Sequence, residues 1–382
     1  MIPCQRDAFD IPDEVAYFNC AYVAPMLRSV RRAAEAALTH AGQPWRITSD
    51  DFFTPPERAR QRFAQLIGAR PDDVAITPSA SFGISTAARN LPLAPGQSII
   101  LLEEEFPSNV YAWRALAQRC GGQIVTVRRP PDGDWTSAIL EALDPRVAIA
   151  ALPHCHWADG GLVDLARVSP ALQRIGARLV LDVTQSLGVI PLDVTRIAID
   201  YLACAAYKWL LGPYSLGFLY AAPQHHRGEP IDYNWITRAD SENFAGLVDY
   251  RDAYQPGARR YDMGERASFV LIPMATTALE QLLAWTPAAI HATLSAITDR
   301  IAEHAGELGV TIAPRPLRAG HILGLRLPGG IPHGLVEQLR ADKIFVSVRG
   351  QTVRVAPHLF VNANDVDRLI AALRRSARNE PG

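Results

Sequence analysis

The chain has 382 residues, 48% of them apolar, with neither long charge runs nor low-complexity stretches, so it can bury a core larger than one typical domain holds. Its formal net charge of −1 supplies no broad basic field, which argues against nucleic acid or an anionic membrane surface as partner and toward a small ligand. No apolar stretch is long enough to span a bilayer, and the amino terminus lacks the charged-then-apolar order of a secretion signal, so a cytoplasmic protein is expected. The five cysteines, Cys4, Cys20, Cys120, Cys155 and Cys204, are odd in number and lack metal-ligand spacing, which points to reduced structural thiols with no metal site.

After an amino-terminal arm over residues 1–15, apolar spacing predicts helices near 27–38 and 56–67, leading into a short strand at 73–78. Ser79-Ala80-Ser81-Phe82-Gly83 then opens a helix directly after that strand, where amides and hydroxyls can meet an anion, although serine there is also an ordinary helix cap. Strands are predicted at 98–102, 123–127, 147–152, 178–182, 201–205 and 216–221, with helical patterns between most of them. That alternation predicts an α/β fold with a mostly parallel sheet covered on both faces. Residues 225–264, rich in Tyr, Asp, Arg and Gly with weak periodicity, read as a long ordered excursion that builds a site rather than a core. Helices follow over 271–308, then a smaller α+β unit with strands at 321–327, 344–348 and 352–356 and a closing helix at 365–376. The expected division is a large domain over 16–264 and a linking helix with a small domain over 265–382.

Only two lysines occur in this arginine-rich chain, Lys208 and Lys343. Lys343 reads as an ordinary surface position, whereas Lys208 sits in the aromatic, glycine-bounded run Ala-Ala-Tyr-Lys-Trp-Leu-Leu-Gly-Pro. Arginine stays protonated, but a desolvated lysine can lose its proton and attack a carbonyl, so Lys208 is either an amine nucleophile or a surface lysine that drift has left in place. The strand at 178–182 ends in Asp182, at the carboxyl end outside which ligands of open α/β sheets bind. A carboxylate that pairs a pyridinium nitrogen and a lysine that forms a Schiff base is the combination pyridoxal phosphate requires.

Asp182-x-x-Gln185 followed by Tyr207-Lys208-Trp209 and Gly212-Pro213 resembles the class V aminotransferase group of fold-type I pyridoxal phosphate enzymes, which includes cysteine desulfurases, kynureninase-like enzymes and isopenicillin N epimerase-like proteins. The likeness runs from Tyr17-Phe-Asn-Cys-Ala21-Tyr22 through Glu105-Phe106-Pro-Ser-Asn109 and His154-Cys-His-Trp157-Ala-Asp159-Gly160 to Val353-Arg354-Val-Ala-Pro-His-Leu-Phe360. It implies a seven-stranded sheet in the large domain and pyridoxal 5'-phosphate as cofactor, with its phosphate on Ser79, Ala80, Ser81 and Tyr207. Phe106 would stack on the ring where the desulfurase branch has histidine, Asp182 would pair with the ring nitrogen, and Gln185 would meet the phenolic oxygen. Trp157 stands where the wider family has asparagine, a Trp-x-Asp-Gly form familiar in the kynureninase-like and epimerase-like branches. Gly264 and Glu265 match a segment that reaches the partner subunit's cofactor, which implies a homodimer with shared sites.

Arg354, with Arg349 second, is the expected carboxylate clamp for an amino-acid substrate, and Ala21 and Tyr22 line its mouth. His154 and His156 suit core or cleft positions equally well. The expected reaction is transamination of a small amino acid, with C–S or β-lyase activity and epimerisation as alternatives. A persulfide-forming desulfurase is disfavoured because no cysteine falls between Val346 and Val361. A non-catalytic binding module conflicts with the joint presence of Asp182, Gln185 and Lys208, and a nicotinamide enzyme lacks its glycine fingerprint.

Overall fold

The computed structural model describes residues 1–378. In chain order the elements are β1 (Ala16–Tyr17), α1 (Arg28–Ala41), α2 (Thr54–Ile67), β2 (Val74–Thr77), α3 (Ala80–Asn90), β3 (Ser98–Leu102), α4 (Tyr111–Cys120), β4 (Gln123–Val127), α5 (Trp135–Glu141), β5 (Val147–Pro153), α6 (Leu165–Arg174), β6 (Arg178–Asp182), β7 (Tyr201–Ala205) and β8 (Gly217–Ala221). They continue as α7 (Leu271–Trp285), α8 (Pro287–Gly306), β9 (Leu323–Leu325), α9 (Leu335–Ala341), β10 (Ile344–Phe345), β11 (Ser347–Arg349), β12 (Thr352–Val355) and α10 (Ala363–Arg378).

Among the described residues the large sheet has seven strands in the order β2-β8-β7-β6-β5-β3-β4. The run β7-β6-β5-β3-β4 is parallel, because most of its connections carry a crossover helix, whereas β8 lies antiparallel between β7 and β2. The reason is local: only residues 206–216 join β7 to β8, too few for a crossover, and that short connection carries Lys208. The strands read as continuous Val, Ile, Leu and Ala runs because helices cover both faces, and every residue of β3 and β7 is buried. Phe63 of α2 stacks on Phe218 of β8 at 4.4 Å, fastening one helical layer to the sheet.

The apolar stretch at 344–348 divides between two sheets instead of forming one strand. Ala16 and Tyr17 pair in parallel with Ile344 and Phe345, while Ser347–Arg349 turns to pair with β12 in a three-stranded sheet ordered β11-β12-β9. Short segments from the two ends of the chain are thereby joined. The helical region after 271 breaks at Thr286, which adopts a φ of 65° and caps α8 through a bond from the Ala289 amide, with Pro287 as the first helical residue. Residues 225–264 hold short 3-10 turns and one isolated antiparallel bridge, between Arg238 and Tyr254.

Candidate active site

Register places the carboxyl ends of β5, β6 and β7 side by side, with Pro153 opposite Asp182 and Asp182 opposite Ala203. Outside them lies a cavity of about 370 Å³ bounded by these strand ends, the amino terminus of α3, the segment after β3 and the β7–β8 connection. Ser79, Ala80, Ser81, Phe106, Trp157, Asp182, Gln185, Tyr207 and Lys208 all line it. Nine residues scattered over 130 positions of sequence therefore meet in one space.

Lys208 is 6% exposed, its ammonium end stands 5.3 Å from the Phe106 ring centre and 5.5 Å from that of Tyr207, and no carboxylate among the described residues lies within 4 Å of it. Burial draws its pKa down to about 8, opposed only in part by the charge of Asp182. The Lys208 turn is held by bonds from the Gly212 amide to the Ala206 carbonyl and from the Leu211 amide to the Lys208 carbonyl. Gly188 allows the turn to close on the segment after β6: its φ is 99°, and a Cβ there would sit 2.3 Å from the Trp209 carbonyl oxygen.

Asp182 is 8% exposed, and its Oδ1 accepts the Thr184 amide at 2.9 Å. Burial raises its pKa, against the opposing pull of Thr184 and Lys208. A carboxylate buried this deeply without a cation is costly, so the cavity fits a cationic ring nitrogen. Ser79 caps α3 by accepting the Phe82 amide at 3.2 Å, and its hydroxyl lies 2.8 Å from that of Ser81. The cap and the anion site are therefore compatible, since the amides and hydroxyls at the first turn still face the cavity. These donors, the buried carboxylate and the amine fit pyridoxal phosphate at its phosphate, ring nitrogen and aldehyde respectively.

Gln185 is more occupied than the sequence suggests. Its amide nitrogen donates to the Ala21 carbonyl at 3.0 Å and its oxygen accepts the Trp209 indole at 2.9 Å, leaving one N–H for a ligand. Ala21 thus contributes a buried carbonyl behind the cavity, while Tyr22 is exposed beside it. Trp157 is fixed by its own indole N–H, donated to the Glu104 carbonyl at 2.7 Å, and meets Phe106 edge-on at 5.4 Å. Glu104 and Asp159 are both bound by Arg129, which steadies the Trp157 loop from outside.

Arg354 stands behind the cavity wall, against Trp157: its Nη1 donates to the Trp157 carbonyl at 2.7 Å, while Nε and Nη2 are buried without partners. Burial, and next the nearby Arg349, draw its pKa down to about 9. Gly264 and Glu265 lie apart from this chain's own cavity: the Gly264 amide is bound to Asp232 at 2.7 Å and Glu265 is exposed. His156 is wholly buried, stacked on Trp135 with Nε2 3.1 Å from the Glu103 carbonyl, and His154 is buried as well.

The cavity also holds residues that sequence reasoning gave no role. Glu105 accepts the Phe106 amide at 2.6 Å, and burial raises its carboxyl to about 8, Asp182 adding to the effect. It is the last of three acids that follow β3, and nothing in that run marks which one turns inward. Thr184 accepts the Ala205 amide at 3.2 Å, joining the ends of β6 and β7. Ser215 lines the cavity from a turn with φ of 63°, and nothing in the sequence marks it.

Residues 48–369 match the family model described as Aminotransferase class-V. An uncharacterised aminotransferase of Bacillus subtilis is 27% identical over 353 residues, 89% of this chain and 87% of that protein. Isopenicillin N epimerase of Streptomyces clavuligerus is 26% identical over 332 residues, covering 83% of each. Among solved structures, a variant of C-DES with glycine covalently linked to its PLP cofactor superposes with a TM-score of 0.87 at 19% identity, over 97% of this chain and 98% of the other.

Proposed function

The chain belongs to the class-V aminotransferase family, and from that premise we propose that it is a pyridoxal-phosphate-dependent enzyme that transaminates a small amino acid. The observation that carries this reading is the meeting, in one buried cavity, of an unpaired amine at Lys208, a carboxylate at Asp182 and the amino terminus of α3. When bound, pyridoxal phosphate supplies an aldehyde for the lysine and an electron-withdrawing ring that weakens the bonds to the substrate Cα. In this assignment Ser79, Ala80, Ser81 and Tyr207 hold the phosphate, Asp182 the ring nitrogen and Gln185 the phenolic oxygen, while Phe106 and Trp157 bound the ring. Lys208, with a pKa near 8, takes the Cα proton as a base and returns it as an acid close to neutral pH. Arg354 takes the α-carboxylate on the two N–H groups that are buried without partners.

Two observations weigh against two of the competitors, inversion and persulfide formation. Phe106 carries no proton, so inversion by two bases lacks a second base at that position. The β11–β12 hairpin turns through Gly350 and Gln351 alone, which leaves no mobile loop for a persulfide-forming thiol; Cys155, which does line the cavity, donates to the Gln185 carbonyl at 3.2 Å and its thiol is pushed up by burial. The family relation to an epimerase keeps inversion, with C–S or β-lysis, as the alternatives to be tested.

The segment 225–264 presents exposed Tyr233, Trp235, Phe244, Val248 and Tyr250, and Glu265 is exposed outside this chain's own cavity lining, which together support a homodimer with shared sites. Light scattering that returned a monomer at working concentration would remove that part of the reading. The division at residue 264 that we propose places the cofactor groups on one domain and the Arg354 clamp on the other. All five cysteines are free, in keeping with a reducing cytoplasm.

The deciding experiment offers the purified holoprotein a panel of amino acids with an oxo-acid acceptor. Stoichiometric conversion of the acceptor into its amino acid supports transfer; pyruvate with sulfide or thiol would establish a lyase, and Cα deuteration with inversion an epimerase. Lys208→Ala should abolish turnover, and full activity in that variant would overturn the assignment.

A further inference from the structure

We propose that the substrate is a dicarboxylic amino acid whose second acidic group is held by Arg349, a deepening that rests on the amino-acid reading of the cavity. β11 and β12 pair antiparallel with Ser347 opposite Arg354 and Arg349 opposite Thr352, so Arg349 and Arg354 are diagonal neighbours on one face of the ribbon. Both guanidinium carbons stand over the same indole, that of Trp157, at 5.5 and 6.0 Å from its centre. Neither arginine has a carboxylate within 4 Å among the described residues. For Arg354 that is unusual here, because the other buried arginines among the described residues, Arg60, Arg266 and Arg318, are each paired with an acid.

Two like charges side by side, one of them buried with two free N–H groups, are unfavourable in the free protein and become favourable when an anion binds. The nearby carboxylates do not meet this need: Asp182 and Glu105 line the cavity without lying within 4 Å of either arginine, and Glu104 and Asp159, outside the cavity lining, are taken by Arg129. A monocarboxylate satisfies Arg354 and leaves one positive charge uncompensated over Trp157. Arg349 bonds only its own Val348 carbonyl, at 2.7 Å, and its half-exposed position beside Tyr22 lies on the solvent side, where the distal end of a substrate would point.

Non-reacting carboxylates without an amino group provide the test. Propionate, malonate, succinate and glutarate are titrated into the holoprotein at constant ionic strength, followed by calorimetry and by tryptophan fluorescence. The best diacid should bind about fivefold more tightly than propionate, the increment of one partly exposed charged contact. In Arg349→Gln the ratio of diacid to monoacid affinity should fall toward one, whereas Arg354→Gln should weaken both kinds of ligand. Equal wild-type affinities, as would follow if a partner subunit's carboxylate already held Arg349, or an unchanged ratio in Arg349→Gln, would overturn the proposal. Coenzyme uptake, read by absorbance, separates this from the parent reading: a protein that binds pyridoxal phosphate without preferring diacids defeats only the second acidic site, and one that takes up no coenzyme defeats both.

Discussion

Lys208 shows how one residue can be legible from scarcity. A chain that uses arginine for nearly every cation retains an amine where it needs a group able to lose its proton, and the structure buries that amine without an ion-pair partner. Because Lys343 is the only other lysine and peptide analysis separates both from the α-amino group, its titration is directly measurable in the apoprotein. The rate of acylation at Lys208, followed by peptide mass analysis, should rise with pH to a midpoint near 8, since burial favours the neutral form; a midpoint above 10 would remove the basis for a poised amine. Glu105 is the opposite case. Its carboxyl is raised to about 8 by burial, yet in sequence it was only one acid in a run of three, and nothing in that run says which one turns inward.

At the scale of elements, the excursion over 225–264 is tied down by buried charge rather than by regular structure. Asp262 is fully buried, accepts the Ile76 amide at 2.7 Å, and meets Arg60 of α2 at 2.8 Å and Arg266 in the same cluster. Arg60 also binds Glu57, which in turn binds Arg259, so the excursion, α2 and β2 share one network. Truncating Asp262 leaves two buried guanidinium groups short of their counter-charge. Asp262→Ala should cost about 3–5 kcal/mol in urea unfolding, while Asp249→Ala, at an exposed position of the same excursion, should stay within about 0.5 kcal/mol. Comparable losses in the two variants would show that the network does not hold the segment. The excursion was recognisable from its composition, but its anchor was not, because the partners of Asp262 are distant in sequence and any of the chain's many arginines could have served.

For the whole molecule, burial sets the acid limit of stability. His154, His321 and His358 are buried, and burial lowers their pKa values to about 4, 3 and 3. Burial alone would raise Glu57 and Asp159, but Arg60 with Arg259, and His156 with Arg129, outweigh it and bring both to about 2. The unfolded chain binds protons more readily at all five groups, so each contributes stability at neutral pH. The histidine share is lost as pH falls from about 6.5 toward the folded values, and the carboxylate share as pH falls from about 4.5 toward 2. Glu105 and Asp182 act in the other sense, losing stability as pH rises above their unfolded values, so the two effects oppose each other near pH 5 and only the first survives below about pH 3.8. Calorimetry should show a melting temperature that falls steadily from about pH 4 toward pH 2.5, less steeply in Glu57→Gln; a flat profile over that range would contradict the assignment. The sequence by itself determined the strands of the large sheet, the helix that opens at Ser79 and the placing of Asp182 and Lys208 at one cleft, because apolar period, turn residues and rare residue types are local signals. Only the tertiary structure decided that β1 joins β10, that 344–348 divides between two sheets, that both ends of Gln185 are engaged and that Arg349 and Arg354 share one face, since register and burial depend on which distant segments come to lie side by side.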